Sequence, residues 1–240
     1  MKKYLFLRIS LLCTTLLLMC GSLAAGSSAQ STAEQVEGLW FYTGLITSEG
    51  TEMPLTGVFL FKDGEFVQQS IFNGSPFEEQ GAMAHAGPYT PQAGWVQLVA
   101  EQTISSSPLQ DPPFSFRADT EHEVTAERSG DDLTLIFGKG TSTVQTMEYV
   151  GPGEGDLYHL ENGTLALVDG HFVLVHGDEN GVVTGYGRFE KDGEALTLNV
   201  IRWAEADAAS ATNRRDIAMQ ATFDGRQLTL EDGRSFLVTD

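Results

Sequence analysis

The chain alternates apolar and polar residues over short runs, and turn-forming residues separate one run from the next. Asp-Gly and Asn-Gly pairs recur at these turns, as in KDG, NGS, VDG, ENG, FDG and EDG, and both residues tolerate the positive φ of tight hairpins. Helical periodicity is nearly absent: AEQVEG (33–38) predicts one helical turn, and AEADAASATN (204–213) predicts a second turn or a loop. Closely spaced strands of this kind predict an all-β sandwich or barrel.

Three stretches of the chain recur later in the same order. GVFLFKDGEFV (57–67) returns as GTLALVDGHFV (163–173), GPYTPQAGWVQL (87–98) as GRFEKDGEALTL (187–198), and SGDDLTLIFG (129–138) as DGRQLTLEDG (224–233). The start-to-start offsets fall from 106 to 100 to 95. A falling offset in a fixed order indicates one structural template whose loops are shorter in the second copy.

We therefore predict two tandem copies of one antiparallel β-meander, at residues 35–150 and 151–240. The Gly-rich segment GPGEGD (151–156) is the predicted junction, with few contacts across it. Eight antiparallel strands can close into a ring without exposed edges, so the predicted fold is all-β, with two lipocalin-like up-and-down barrels or a β-meander repeat, and little helix. The strands predicted in the first copy lie near 39–47, 57–62, 65–72, 81–89, 94–104, 114–127, 132–138 and 143–150.

Residues 1–29 have the layout of a bacterial secretory signal. A basic start is followed by an apolar run and then by small residues, and the run is shorter than the ~20 apolar residues that cross a bilayer. Cleavage is predicted after Ala29, with Ala25 as the second choice, which predicts a periplasmic or extracellular protein. Cys20, at the end of the apolar run, leaves a membrane-anchored lipoprotein as the alternative.

The charge of the chain excludes some partners. The formal net charge is −19, and the leader carries three of the 14 basic residues and none of the 33 acidic ones, so the mature chain has a charge of −22. Nucleic acid and anionic membrane surfaces are unsuitable partners because both demand basic patches. No membrane insertion is predicted once the signal is removed. Both cysteines, Cys13 and Cys20, lie in the leader, which predicts a mature chain without disulfides.

The order of several motifs resembles a known family. GLW (38–40) opens the first strand, and the hairpin at 57–67, HAGPY (85–89), FRADTEHEV (116–124) and GDDLTL (130–135) follow. This order resembles the lipocalin-like domain of bacterial secreted and periplasmic proteins. The resemblance implies a calycin-type barrel that binds a small apolar molecule. The second copy has GDLYHL (155–160) where a Gly-x-Trp motif would stand, so the resemblance places the ligand in the first copy.

The same family carries a basic residue on a late strand, which packs over the tryptophan of the Gly-x-Trp motif. The sequence does not single out this residue, because Arg128 and Lys139 fall in or beside predicted turns.

Strand alternation nominates the residues that face the first barrel's interior. His122 shares an apolar face with Phe116 and Val124, and Arg117 lies on the opposite, solvent-facing side. His122 is thus predicted either to orient a ligand or to be a core histidine bonded to a carbonyl or to Tyr89. A second strand places large residues on one face and three alanines on the other, which predicts close approach of another element on the alanine side. The candidate ligand-binding residues are Trp40, Tyr42, His85, Tyr89 and His122.

Polar residues of the second copy are weaker candidates. His176 shares a predicted face with Phe172 and Leu174, and Arg202 shares one with Leu198 and Val200.

Three classes of function follow from these observations. The first hypothesis is a secreted or periplasmic protein that binds a small apolar or amphipathic molecule in its first barrel. The second is a non-catalytic structural or interaction protein with solid barrels and an acidic protein-binding surface. A calycin-like enzyme comes third, since no nucleophile elbow, phosphate loop or metal-ligand spacing occurs. No catalytic residue, metal or cofactor is predicted, and a cavity in the first barrel would separate the first two hypotheses.

Overall fold

A computed structural model describes residues 31–138 and 143–239. The predicted signal and both of its cysteines lie outside these residues. Residues 31–36 are helical and confirm the predicted turn before the first strand. A single 3₁₀ turn, Phe77–Glu79, is the other helical element of the described chain, which is otherwise built from β-strands and loops.

Eleven strands build the first sheet. Their bounds are β1 Gly38–Ile46, β2 Glu52–Met53, β3 Leu55–Lys62, β4 Glu65–Phe72, β5 Gly81–Gln92, β6 Trp95–Ala100, β7 Gln102–Ser106, β8 Phe114–Arg117, β9 Thr120–Ser129, β10 Asp132–Phe137 and β11 Thr143–Gly151. Eight strands pair antiparallel around a closed ring in the order β1, β3, β4, β5, β6, β9, β10 and β11, and β11 pairs with β1 again. This is the predicted eight-stranded up-and-down barrel, and β7 and β8 continue β6 and lead into β9.

Nine strands build the second sheet. Their bounds are β12 Gly155–Leu160, β13 Gly163–Val168, β14 His171–Asp178, β15 Gly181–Asp192, β16 Ala195–Asp207, β17 Ala211–Arg214, β18 Ile217–Phe223, β19 Gln227–Leu230 and β20 Ser235–Leu237. A bridge between Leu160 and Val238 brings the last strand to the first, and backbone bonds flank this bridge. Because β17 and β18 both pair with β16, this is again a barrel of eight antiparallel strands. The fold predicted from the repeat is confirmed.

Glycines at repeated positions show why the two copies fold alike. Gly57 lies opposite Ser70, and Gly163 lies opposite His176, at the same offset of 106. A Cβ on either glycine would collide with the carbonyl oxygen of the facing strand. The repeated glycine is therefore required by close approach of two backbones, and the sequence repeat records a structural one.

Outward-facing residues of the two barrels pack against each other in one apolar cluster. The three alanines of β5 face this side, and Ala82 packs with Ala204 of the second barrel. Gln102 also spans the contact, since its Nε2 donates to the carbonyl oxygens of Asn162 and Gly177, both at 2.8 Å. The prediction of few contacts between the copies is wrong. Members of the cluster are Leu39, Val58, Leu60, Val67, Ala84, Ala86 and Ile104 from the first barrel and Ala166, Val168, Val173, Val175, Val182, Tyr186 and Ala206 from the second.

The junction between the barrels is held in place. β11 ends at Gly151 and β12 begins at Gly155, within the predicted Gly-rich segment. The Asp169 carboxylate accepts hydrogen bonds from the backbone N–H groups of Gly153, at 2.7 Å, and Glu154, at 3.1 Å. Division of the chain into independent domains at 35–150 and 151–240 stays a prediction.

Two predicted strand faces are wrong, each at an irregularity of the backbone. Between β8 and β9, Asp119 adopts a φ of +56°, and the alternation changes parity there. Phe116 is consequently on the outer face and exposed, whereas Arg117, also exposed, lies on the side of the cavity at its rim. A bulge in the pairing of β15 with β16 likewise separates Arg202 from Leu198 and Val200. Residues 204–213, predicted as a helical turn or a loop, form the end of β16, a short loop and the start of β17.

Candidate functional site

The first barrel encloses a cavity of about 490 Å³ at one end. Its walls come from inward positions of successive strands, so alternate residues of β4 (Phe66, Gln68 and Phe72) and of β5 (Met83 and His85) contribute. Most of this lining is apolar and aromatic, which suits burial of an apolar ligand surface. The apolar lining residues are Leu45, Met53, Phe59, Phe66, Phe72, Met83, Leu98 and Phe137.

A chain of hydrogen bonds forms the polar part of the cavity. Tyr42 lies just beneath the lining, and its hydroxyl donates to Gln145 Oε1 at 3.0 Å. Gln68 Nε2 donates to the Tyr42 oxygen at 3.1 Å, and Gln68 Oε1 lies 2.9 Å from His85 Nδ1. Burial raises the pKa of Tyr42 well above its usual range, so its hydroxyl keeps its proton. The network therefore consists of neutral groups.

Two histidines lie side by side in the cavity wall. The ring centroids of His85 and His122 are 5.8 Å apart, and His122 also meets the edge of Phe137. Burial, and secondly the neighbouring His122, lowers the pKa of His85 to about 4. Burial lowers the pKa of His122 as well. Both imidazoles are consequently uncharged at neutral pH, and His122 Nε2 is buried without a hydrogen-bond partner among the described residues.

Small polar groups and one cation lie at the rim. The hydroxyls of Thr103 and Thr120 bond to each other, and Thr103 pairs across strands with Arg117. The Arg117 side chain is exposed. It is the one charged residue of the lining within the described chain.

The opposite end of the barrel is closed by packing. Trp40 Nε1 donates to the carbonyl oxygen of Val36, in the helical turn, at 2.7 Å. The guanidinium of Arg128 lies 4.8 Å from the ring centroid of Trp40 and 4.8 Å from that of Tyr149. Tyr89 donates to Glu37 Oε1 at 3.1 Å. Trp40 and Tyr89 thus belong to this closed end and do not line the cavity.

Arg128 lies over Trp40, a position that the sequence did not single out. Alternation carried the signal, because positions 122, 124, 126 and 128 share one face of β9. Because Arg128 lies at the end of β9, beside the turn, the sequence pattern assigned it to the turn and not to the inward face of the strand. Lys139, the other candidate, lies outside the described residues.

The five candidate ligand-binding residues therefore separate into groups. The structure brings His85 and His122 together in the cavity wall, and it places Tyr42 one hydrogen bond behind Gln68. Gln68 and Gln145 were missed. The alternating pattern of EFVQQSIF (65–72) places Gln68 on the face of Phe66 and Phe72, and this pattern could have nominated it.

The interior of the second barrel is filled at the corresponding level by Trp203, which is 1% exposed. Its Nε1 donates to Glu205 Oε2 at 2.9 Å. The Glu205 carboxylate also bridges Arg214 and Arg234, each at 2.8 Å, across an open groove of about 540 Å³. His176 lies at the groove, with its ring centroid 4.8 Å from that of Phe236. The second barrel therefore ends in an ionic bridge over a tryptophan.

Comparisons with protein-family models, with curated proteins and with solved structures gave no match to this chain. Within the described residues, no helix has both the length and the apolar composition to cross a membrane. The same residues contain no group of three or more His, Cys, Asp or Glu side chains arranged to hold a metal ion.

Proposed function

We propose that the protein binds one small apolar or amphipathic molecule inside its first barrel. The observation that carries this proposal is the cavity of about 490 Å³ with an apolar wall and a few convergent polar groups. Small-molecule sites usually have volumes of ~300–1,000 Å³ and this mixture of surfaces. A non-catalytic protein with two solid barrels would have no such space in its first copy.

The closed end of the first barrel supports the resemblance to bacterial lipocalin-like domains. In that family a basic residue of a late strand packs over the tryptophan of the Gly-x-Trp motif. Arg128 occupies this position over Trp40. The proposed compartment, the periplasm or the cell exterior, rests on the signal-like residues 1–29, and a lipid anchor at Cys20 is the alternative.

Fluorescence titration with N-phenyl-1-naphthylamine, an uncharged apolar probe, tests the proposal. We expect saturable enhancement with one site per chain. Met83→Trp fills the cavity from its wall and should weaken binding at least tenfold. The matched control is Val183→Trp, at the equivalent position of the second barrel, and it should leave binding unchanged. Equal binding by all three proteins would place the probe elsewhere and refute the proposed site.

Native mass spectrometry gives an independent test on protein purified from its own source. A retained small molecule, displaced by the naphthylamine probe, is the expected result. If a retained molecule survives in Met83→Trp at the same occupancy, the first barrel is not its site.

A further inference from the structure

The hydrogen-bond chain under the cavity has a direction. Gln145 Oε1 is an acceptor, so the Tyr42 hydroxyl must donate its one proton to it. The Tyr42 oxygen then accepts from Gln68 Nε2, which leaves Gln68 Oε1 as an acceptor. Because that oxygen lies 2.9 Å from His85 Nδ1, the imidazole must be the donor of this last bond.

This direction selects one form of His85. A neutral imidazole carries a single N–H, and here it is on Nδ1, so Nε2 holds a lone pair and can only accept. Within the described chain, Nε2 of His85 has no hydrogen-bond partner, and neither does Nε2 of the adjacent His122. Nε2 of His85 therefore presents an acceptor to a molecule that enters the cavity, whereas the threonine hydroxyls and Arg117 of the lining can donate.

The charges around the cavity restrict the chemical class of the ligand further. Across all the strands that contribute to the lining, Arg117 at the rim is the one charged side chain among the described residues. Among the described residues, no carboxylate lines the wall to neutralise an ammonium group. A carboxylate directed at Nε2 of His85 would meet a lone pair instead of a donor, and that atom would not compensate the loss of its hydration.

We propose that the first barrel selects uncharged amphiphiles whose polar end is a hydroxyl, and that this hydroxyl donates its proton to Nε2 of His85. Aliphatic alcohols and phenols belong to this class, whereas fatty acids and amines do not. The inference rests on the proposed function, because it describes the ligand of the same cavity.

Nuclear magnetic resonance tests the direction of the hydrogen-bond chain without any ligand. In ¹⁵N-labelled protein, the ring nitrogens of His85 are assigned by their absence in the His85→Gln variant. We expect the proton on Nδ1 at neutral pH. A proton on Nε2 would reverse the chain, make His85 a donor to the ligand, and overturn the inference while leaving the cavity proposal intact.

Displacement of N-phenyl-1-naphthylamine tests the ligand class. At pH 7 we expect 1-decanol to displace the probe at a concentration at least tenfold lower than decanoic acid or decylamine. In His85→Met the affinity for 1-decanol should fall about fivefold, the scale of one lost hydrogen bond, while the affinity for 1-chlorodecane stays unchanged. Decanoic acid binding as tightly as 1-decanol would overturn the inference, and absence of probe binding would overturn the proposed function with it.

Discussion

The two barrels share one template and differ in what fills them. His85 faces Thr103 across β5 and β7, and Gly185 faces Trp203 across β15 and β16, at the same offset of 100 residues. In the first barrel this pair leaves space for a cavity. In the second, the indole lies against the glycine, and a Cβ on Gly185 would collide with its ring. This facing pair is therefore one difference between the two barrels at this level: the indole occupies the space in the second barrel that borders the cavity in the first.

Neighbouring inward positions strengthen the contrast. Gln68, the amide that links Tyr42 to His85, has Leu174 as its counterpart in the repeat, 106 residues later. Among the described residues, the second barrel has no equivalent hydrogen-bond chain at that level, since a leucine cannot replace the amide. Its polar groups instead gather at the end of the barrel, where Glu205 bridges two arginines. In the first barrel, by contrast, the polar side chains of Gln68 and His85 lie in the cavity wall.

The largest effect is expected from removing the indole of the second barrel. Trp203→Ala should lower the free energy of unfolding by ~3–5 kcal/mol, because a buried aromatic group is lost and a cavity remains. Thr103→Ala is the matched change in the first barrel, and it should cost less than ~1 kcal/mol because Thr103 already borders empty space. Urea denaturation followed by tryptophan fluorescence and circular dichroism measures both. Similar losses in the two variants would contradict the contrast between filled and hollow barrels.

A pH dependence of stability should come from the histidine that the second barrel lacks. The pKa of His85 is lowered to about 4, chiefly by burial. Between pH ~6.5 and pH 4 the imidazole is therefore protonated in the unfolded chain and neutral in the folded one. Stability should therefore be greatest above pH 6.5 and fall as the pH drops from 6.5 to 4, by at most ~3 kcal/mol. Subtracting the curve of His85→Gln isolates this contribution from other histidines. A difference curve that is flat over this range would show that His85 is protonated normally.

Exchanging the facing pair should convert one barrel into the other. In the double variant His85→Gly with Thr103→Trp, the indole has the glycine that it requires, and we expect a folded protein whose probe binding is weakened at least tenfold, or ~1.4 kcal/mol. In the Thr103→Trp single variant the His85 imidazole occupies the space that the indole needs. This protein should be destabilised by ~1–3 kcal/mol through overpacking. Titration and thermal melts distinguish the two. Undiminished probe binding in a folded double variant would mean that the cavity is not the probe's site.

Much of this architecture was predictable from the sequence, because strands, turns and repeated glycines are set by local patterns. The place of a residue along the barrel axis was not predictable in the same way. Trp40, His85 and Tyr89 all face inward, yet only His85 lies at the open end, and alternation reports the face without the depth. The alternation of inward and outward side chains also changes phase at Asp119 and at the β15–β16 bulge, so faces predicted across these points were wrong. Such irregularities depend on long-range packing, which a single strand does not reveal.

The smallest predicted effect concerns the closed ends. In the first barrel the Arg128 guanidinium contacts two aromatic rings and the residue is half-buried, whereas in the second barrel the exposed Lys191 has its ammonium 5.0 Å from the ring of Phe223. Cation–π contacts contribute ~0.5–1 kcal/mol when exposed and ~2 kcal/mol when desolvated. Arg128→Met should therefore lower the free energy of unfolding by ~1–2 kcal/mol, and Lys191→Met by no more than ~0.5 kcal/mol.

Methionine preserves the apolar stem in both variants, so the comparison reports the cation rather than the packing. Arg128→Lys keeps the charge but loses the planar group that contacts both Trp40 and Tyr149, and it should recover only part of the loss. Denaturation midpoints of the three variants and the wild type, measured in parallel by tryptophan fluorescence, give the stability change that each substitution causes. Because the closed end is separate from the cavity, probe affinity should stay at the wild-type value in all three variants. A stability loss in Lys191→Met equal to that in Arg128→Met would show that neither burial nor the second aromatic ring strengthens the contact of Arg128.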